Sequence, residues 1–289
     1  ENATVAVSVT GASEVSLNAS QVGATATAND GGTRVVDASD STAAITLSAA
    51  ALTGTNAATL IGGGGSDLIT GGAAADSLLG GNGNDTITGG AGADSIDGQD
   101  GDDVLYFAAG TDLADDATVV GGEGFDTVRV DTGEEDLILE SAEFANVTGV
   151  EALNLAGTGR SSVTLGTETN GAFSSGITVT TDVQARYLNL QGAASDVAID
   201  ATGSNNADTI IGGTANDTIT GGGGNDSLSG RDGANIFNFA STAELEADVT
   251  VDGGNNTDTI KMNTGGTALT LSSTDFADVS NVEKLDLAG

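Results

Sequence analysis

Asp67, Asp76, Asp85, Asp94 and Asp103 recur at a nine-residue spacing. Each ends a run of glycine and small residues, and each stands two positions before a large apolar residue: Ile69, Leu78, Ile87, Ile96 or Leu105. Carboxylates on glycine-rich turns, beside exposed backbone carbonyls, can build an all-oxygen cage for a hard divalent cation. Other chemistries are narrowed by what the chain lacks. With no His and no Cys, Ser-His-Asp and Cys-His catalysis and His-bound zinc are excluded. A carboxylate-pair glycosidase would have to use Asp115 with Asp116, or Glu134, Glu135 and Asp136. Those runs read better as solvated charge or as added cation ligands, so no enzyme is expected. A formal charge of −35 with seven basic residues excludes nucleic acid, whose phosphates need Lys and Arg. The same acidity suits divalent cations and solubility. Without Cys there are no disulfide staples, so rigidity must come from packing and bound metal. No apolar run is long enough to span a membrane, and Glu1 does not open a signal-peptide pattern.

The elements that must position these carboxylates follow from the period. Residues 62–106 are five end-to-end variants of G-G-x-G-x-D-x-U-x, where U is large and apolar. The first six positions are turn material: Gly reaches positive φ without a Cβ clash, and Asp tolerates turns. The last three, such as Thr86-Ile87-Thr88, place one apolar side chain between two outward ones, a very short half-buried strand. Turn and strand in alternation wind the chain into a coil with two strands per revolution. The apolar residues then stack as a core, and the aspartates form rows along two turn edges. With 3% aromatic residues, a thin aliphatic seam is expected in place of a thick core.

The pattern closely resembles the repeats-in-toxin (RTX) family of calcium-binding parallel β-rolls. The resemblance implies Ca²⁺ held between turns two repeats apart. Carbonyls at positions 2 and 4 and the Asp come from one turn, and carbonyls at positions 1 and 3 and the Asp from the other. It implies one ion on Gly63, Gly65 and Asp67 with Gly80, Asn82 and Asp85. A second would use Gly72, Ala74 and Asp76 with Gly89, Ala91 and Asp94. A third would use Gly81, Gly83 and Asp85 with Gly98, Asp100 and Asp103, so Asp85 would serve two ions. The implied fold is all-β, a parallel β-roll or β-solenoid with two arrays joined by further β segments.

Along the chain, residues 1–52 form an N-terminal β segment with strands at Thr4–Val9, Glu14–Ala19, Arg34–Ala38 and Ile45–Ser48. Asn29-Asp30-Gly31-Gly32 is a hairpin-type turn signal. The first array covers 53–106, opening with a worn repeat that has Ala58 at the Asp position. A β segment at 107–202 follows, with one isolated nonapeptide at 121–129 carrying Asp126. The second array, 203–238, implies ligands Ser204, Asn206 and Asp208 with Gly221, Gly223 and Asp226. It also implies Gly213, Ala215 and Asp217 with Gly230, Asp232 and Asn235, a site short of one carboxylate. A last β segment, 239–289, holds a nonapeptide at 253–261 with Asp258. Tyr106, Phe107, Phe237 and Phe239 close the arrays and are expected to plug the open core; carbohydrate stacking is the alternative.

Residues 71–157 align with 203–289 at a constant offset of 132 without a gap, with about half of the positions identical. The chain therefore contains a duplicated module. Its closing V-E-x-L-x-L motifs, Val150–Leu155 and Val282–Leu287, are similar to segments interleaved with RTX arrays in bacterial surface-layer proteins. The expectation is an extracellular, cell-surface structural protein that folds and self-assembles with Ca²⁺ into a surface layer or filament. Its partners would be copies of itself and cell-surface polysaccharide, without membrane insertion. A calcium-dependent adhesin, or the secretion and folding module of a larger protein, are the competing classes.

Overall fold

The computed structural model describes residues 5–11, 15–18, 34–52, 54–167, 169–181, 187–192, 194–265 and 269–287. The residues after each repeat Asp form short strands, as expected: Leu68–Thr70, Ser77–Asn82, Thr86–Thr88, Ser95–Asp100 and Val104–Phe107. Successive strands enter opposite sheets, so each pairs with the strand two elements away, always in parallel. That makes a parallel β-roll. Register aligns Ile69 with Ile87 and Leu105, and Leu78 with Ile96. All five are fully buried, because alternation along a strand sends one residue in three inward and coiling stacks them.

The chain forms two compact units, Glu1–Val130 with Asn146–Val150, and Asp131–Ala145 with Glu151–Gly289. In the first, one sheet runs Val5–Gly11, Arg34–Ser41, Ala58–Ile61, Ser77–Asn82, Ser95–Asp100, Thr118–Glu123, Val147–Thr148. Its opposite sheet runs Val15–Asn18, Ile45–Ser48, Leu68–Thr70, Thr86–Thr88, Val104–Phe107, Thr127–Asp131. The N-terminal strands are therefore earlier coils of the same roll. The turn signal at 29–32 lies outside the described residues; among those described, Val5–Gly11 pairs with Arg34–Ser41 and Val15–Asn18 with Ile45–Ser48.

In the second unit, strands including Tyr187–Gln191, Thr209–Ile211, Ser227–Ser229 and Thr250–Asp252 form one sheet. Ile199–Thr202, Thr218–Thr220, Ile236–Phe239, Thr259–Met262 and Lys284–Asp286 lie in the other. Leu190, Ile210, Leu228 and Val251 stack in register on one side. Ala201, Ile219, Phe237 and Ile260 do so on the other. Phe144 and Phe173 meet edge to face, with centroids 5.5 Å apart.

Among the described residues, three short α-helices interrupt the β pattern: α1 (Gly110–Asp115), α2 (Thr169–Ala172) and α3 (Thr242–Ala247). α1 and α3 begin 132 residues apart and each buries a single leucine, Leu113 or Leu245. Each replaces a glycine-rich turn. The aromatic plug is corrected. Strand Val104–Phe107 is paired on both sides, by Thr86–Thr88 and Thr127–Asp131. Phe107, Phe237 and Phe239 are buried in the wall of the core, not at its end. Tyr106 points outward and is half-buried.

Candidate metal centre

Each repeat Asp is locked into a row by its own carboxylate. The backbone N–H of Asp67 donates to Asp85 Oδ1 at 2.7 Å, that of Asp85 to Asp103 at 2.8 Å, and that of Asp103 to Asp126 at 2.8 Å. Ile45 opens this row by donating to Asp67 Oδ1. Along the other edge, Ala58 donates to Asp76, Asp76 to Asp94 and Asp94 to Asp116. The second array repeats the scheme. One row runs Leu188, Asp208, Asp226, Asp248 and the other Ile199, Asp217, Asn235, Asp258, ending on Glu283 Oε2. The side chain must lie under its turn to make this bond, so the row aspartates are at most 4% exposed.

The second carboxylate oxygen divides the rows into two kinds of turn. In the first member of each row, Oδ2 accepts from the position-2 N–H: Gly63 to Asp67, Gly72 to Asp76, Ser204 to Asp208 and Gly213 to Asp217. In later members that keep the glycine turn, the position-2 and position-4 residues turn to positive φ, for example Gly81 at 114° and Gly83 at 107°; before Asp116 and Asp248 the helices α1 and α3 stand in place of that turn. The N–H groups then face away. Oδ2 of Asp85, Asp94, Asp103, Asp116, Asp226 and Asp248 is buried and meets no donor. Buried polar atoms without partners are rare and ask for an explanation.

The carbonyls explain what faces them. A Cβ on Gly81 would collide with the Gly63 carbonyl oxygen, and one on Gly83 would stand 2.6 Å from that of Gly65. Positions 2 and 4 of the earlier coil thus point their carbonyls forward. A Cβ on Gly62, Gly80 or Gly98 would strike the oxygen of Gly80, Gly98 or Gly121, so position 1 of the later coil points back. Position 3 does the same: Asp100 O accepts from Gly83 N. Carbonyls and carboxylate oxygens therefore converge on one inter-coil gap with no positive charge to balance them. Among the described residues no three acidic side chains converge on a common point, so any cation there must complete its shell with carbonyls. That donor set is the mixed carboxylate and carbonyl oxygen shell Ca²⁺ takes.

Electrostatics agree. Burial, reinforced by the charges of Asp103 and Asp67, pushes Asp85 up to about 7. Burial also raises Asp116 and Asp248 to about 7, and Asp94, Asp103, Asp217 and Asp226 to about 6. Asp67, Asp76, Asp208 and Asp258 are raised for the same first reason. These carboxylates resist ionisation in the bare fold, so an ion that neutralises them has a large effect.

Each implied pair of turns lies on adjacent coils of one edge. Gly63, Gly65 and Asp67 face Gly80, Asn82 and Asp85. Gly72, Ala74 and Asp76 face Gly89, Ala91 and Asp94. Gly81, Gly83 and Asp85 face Gly98, Asp100 and Asp103. The same adjacency holds for Asp208 with Asp226 and for Asp217 with Asn235. The side chains of Asp100 and Asp232 are exposed, which leaves their carbonyls as their contribution. The two isolated nonapeptides are not isolated in space: Asp126 continues the row of Asp103, and Asp258 that of Asn235. Asp115, Glu134, Glu135 and Asp136 stay exposed. Asp116 and Asp248 are row members that the repeat pattern overlooks, because α1 and α3 stretch the row spacing from 18 to 22 residues. The 132-residue duplication was the signal that pairs them.

A family model described as the RTX calcium-binding nonapeptide repeat (4 copies) matches residues 53–87, 79–114 and 202–237. Neither curated proteins nor solved structures gave a match.

Proposed function

The two arrays are RTX calcium-binding nonapeptide repeats, and from that premise we propose a calcium-folded extracellular structural protein that assembles with copies of itself into a surface layer or filament. Calcium outside the cell is plentiful enough to fill such sites, and no helix among the described residues is long and apolar enough to cross a membrane. The observation that carries the calcium reading is the buried Oδ2 of Asp85, Asp94, Asp103, Asp116, Asp226 and Asp248, which meets no donor.

The module repeated at the 132-residue offset can present the same contact twice, which suits a head-to-tail interface that joins two different surfaces and propagates instead of closing. Carboxylates facing each other across it repel unless Ca²⁺ bridges them. Light scattering during a calcium titration tests the proposal. The particle mass should grow with Ca²⁺ and fall again on chelation. A monomer mass held at millimolar Ca²⁺ and high protein concentration would overturn it.

A further inference from the structure

Asn235 stands where the first module has Asp103, at the 132-residue offset. Its orientation is fixed by the row: Oδ1 accepts the Asp217 N–H at 2.9 Å, so the amide nitrogen takes the arm that Oδ2 takes in Asp103. The surroundings of that arm are the same in both modules. A Cβ on Gly98 would meet both Asp103 Oδ2 and the Gly121 carbonyl. A Cβ on Gly230 would meet Asn235 Nδ2 and, at 2.7 Å, the Gly253 carbonyl. What differs is the sign of the charge. Asp103 Oδ2 has no donor and sits among carbonyl oxygens that only a cation can reconcile. Asn235 Nδ2 donates to three of those oxygens, Gly253 O at 3.3 Å and Asp232 O and Gly233 O at 3.4 Å each.

Resting on the calcium reading of the rows, we propose that the gap between the turns 230–235 and 253–258 holds no ion, because the Asn235 amide occupies the cation's role. An amide nitrogen carries two donor hydrogens and no free lone pair, so it cannot ligate a metal. Rotating the amide to present its oxygen would place the NH₂ group against the Asp217 N–H, donor against donor, at a buried position. The amide therefore stays, and the carbonyls that would bind Ca²⁺ are already engaged. The second module then carries one ion fewer at this coil than the first does between Asp103 and Asp126. This coil also keeps its shape when calcium is withdrawn, a calcium-independent clamp within an otherwise calcium-dependent array.

Bound calcium per chain, counted after equilibrium dialysis of the full chain against saturating Ca²⁺, tests this. Asn235→Asp should bind at least one ion more than the parent, and Asp103→Asn, which borders the gaps to both Asp85 and Asp126, at least one ion fewer. Melting in chelator gives a second readout. Asn235→Asp should melt lower than the parent in chelator, and Asp103→Asn higher. An unchanged ion count in Asn235→Asp, or no fall in its melting temperature in chelator, would overturn the clamp while leaving the other sites intact. A parent chain that binds no calcium at all would overturn both this inference and the reading it rests on.

Discussion

At the scale of single residues, the two oxygens of each row aspartate have separate tasks. Oδ1 builds the row, and Oδ2 is either satisfied by a local N–H, as in Asp67, or left bare, as in Asp85. Asp85 also has a row neighbour on both sides, Asp67 and Asp103. Asp85→Ala should therefore lose more bound calcium than Asp67→Ala, counted by titration; equal losses would contradict the sharing of Asp85 between two gaps. The turns also carry non-glycine residues at left-handed φ, among them Gln99 at 77° and Arg231 at 68°. Gln99 is at position 2, where its counterparts Gly81 and Gly122 are glycine. Gln99→Gly should stabilise the calcium-loaded fold by about 1 kcal/mol, since a side chain there costs about 1–2 kcal/mol, partly offset by the extra freedom glycine gains on unfolding. A denaturant midpoint that falls would show that the Gln99 side chain contributes more than its backbone costs.

At the scale of elements, α1 and α3 show how the roll absorbs extra chain. Each replaces one glycine turn with a short helix, buries one leucine and returns the chain to the row at Asp116 or Asp248. α3 is the better capped. Ser241 accepts from the Glu244 N–H at 3.2 Å, and Glu244 reaches back to the Ala240 N–H at 2.7 Å. α1 begins at Ala109 with no side-chain cap. Ser241→Ala should cost about 1 kcal/mol, the usual worth of such a cap. The loss should show as faster amide exchange over 242–247, with the strands of the array unaffected. Uniformly faster exchange throughout the second array would mean that α3 is part of its cooperative core.

At the scale of the whole molecule, charge decides when the fold exists. The chain carries a formal −35, and its row carboxylates have folded pKa values of about 6 to 7 in Asp85, Asp94, Asp103, Asp116, Asp217, Asp226 and Asp248. In the unfolded chain these groups titrate near the ordinary aspartate value of 3.8. Between those limits the calcium-free folded state binds more protons than the unfolded state. Its stability is therefore fullest below about pH 4 and falls as pH rises through 6 to 7. Calcium competes with those protons, so the loaded fold should behave oppositely, losing ions as pH drops below about 6, because ligands must be deprotonated to bind. Circular dichroism melts at pH 5 and pH 8, with chelator and with millimolar Ca²⁺, should cross: chelated protein more ordered at pH 5, loaded protein more stable at pH 8. A chelated chain fully β at pH 8 would end the coupling of folding to metal. Curves parallel in pH would remove the row carboxylates from its cause.

The nonapeptide by itself determined the parallel roll, its two strands per coil, its inward residues Ile69, Leu78, Ile87, Ile96 and Leu105, and the row positions of the aspartates within each array. Every one of those features is set within nine residues, by which positions tolerate positive φ and which side chain is apolar. The tertiary structure decided what depends on the neighbouring coil. Asp116 and Asp248 join the rows only because α1 and α3 bring the chain back in register, although they break the period. The N-terminal strands Val5–Gly11 and Val15–Asn18 became coils of the roll because the partners described for them lie in the next revolution. Phe107, Phe237 and Phe239 became wall and not plug because further strands follow them. The amide of Asn235 took a direction only because Asp217, 18 residues away along the chain, claims its oxygen. A period written in the sequence fixes what repeats, while the contacts that depart from it are made between coils and are visible only once the coils are stacked.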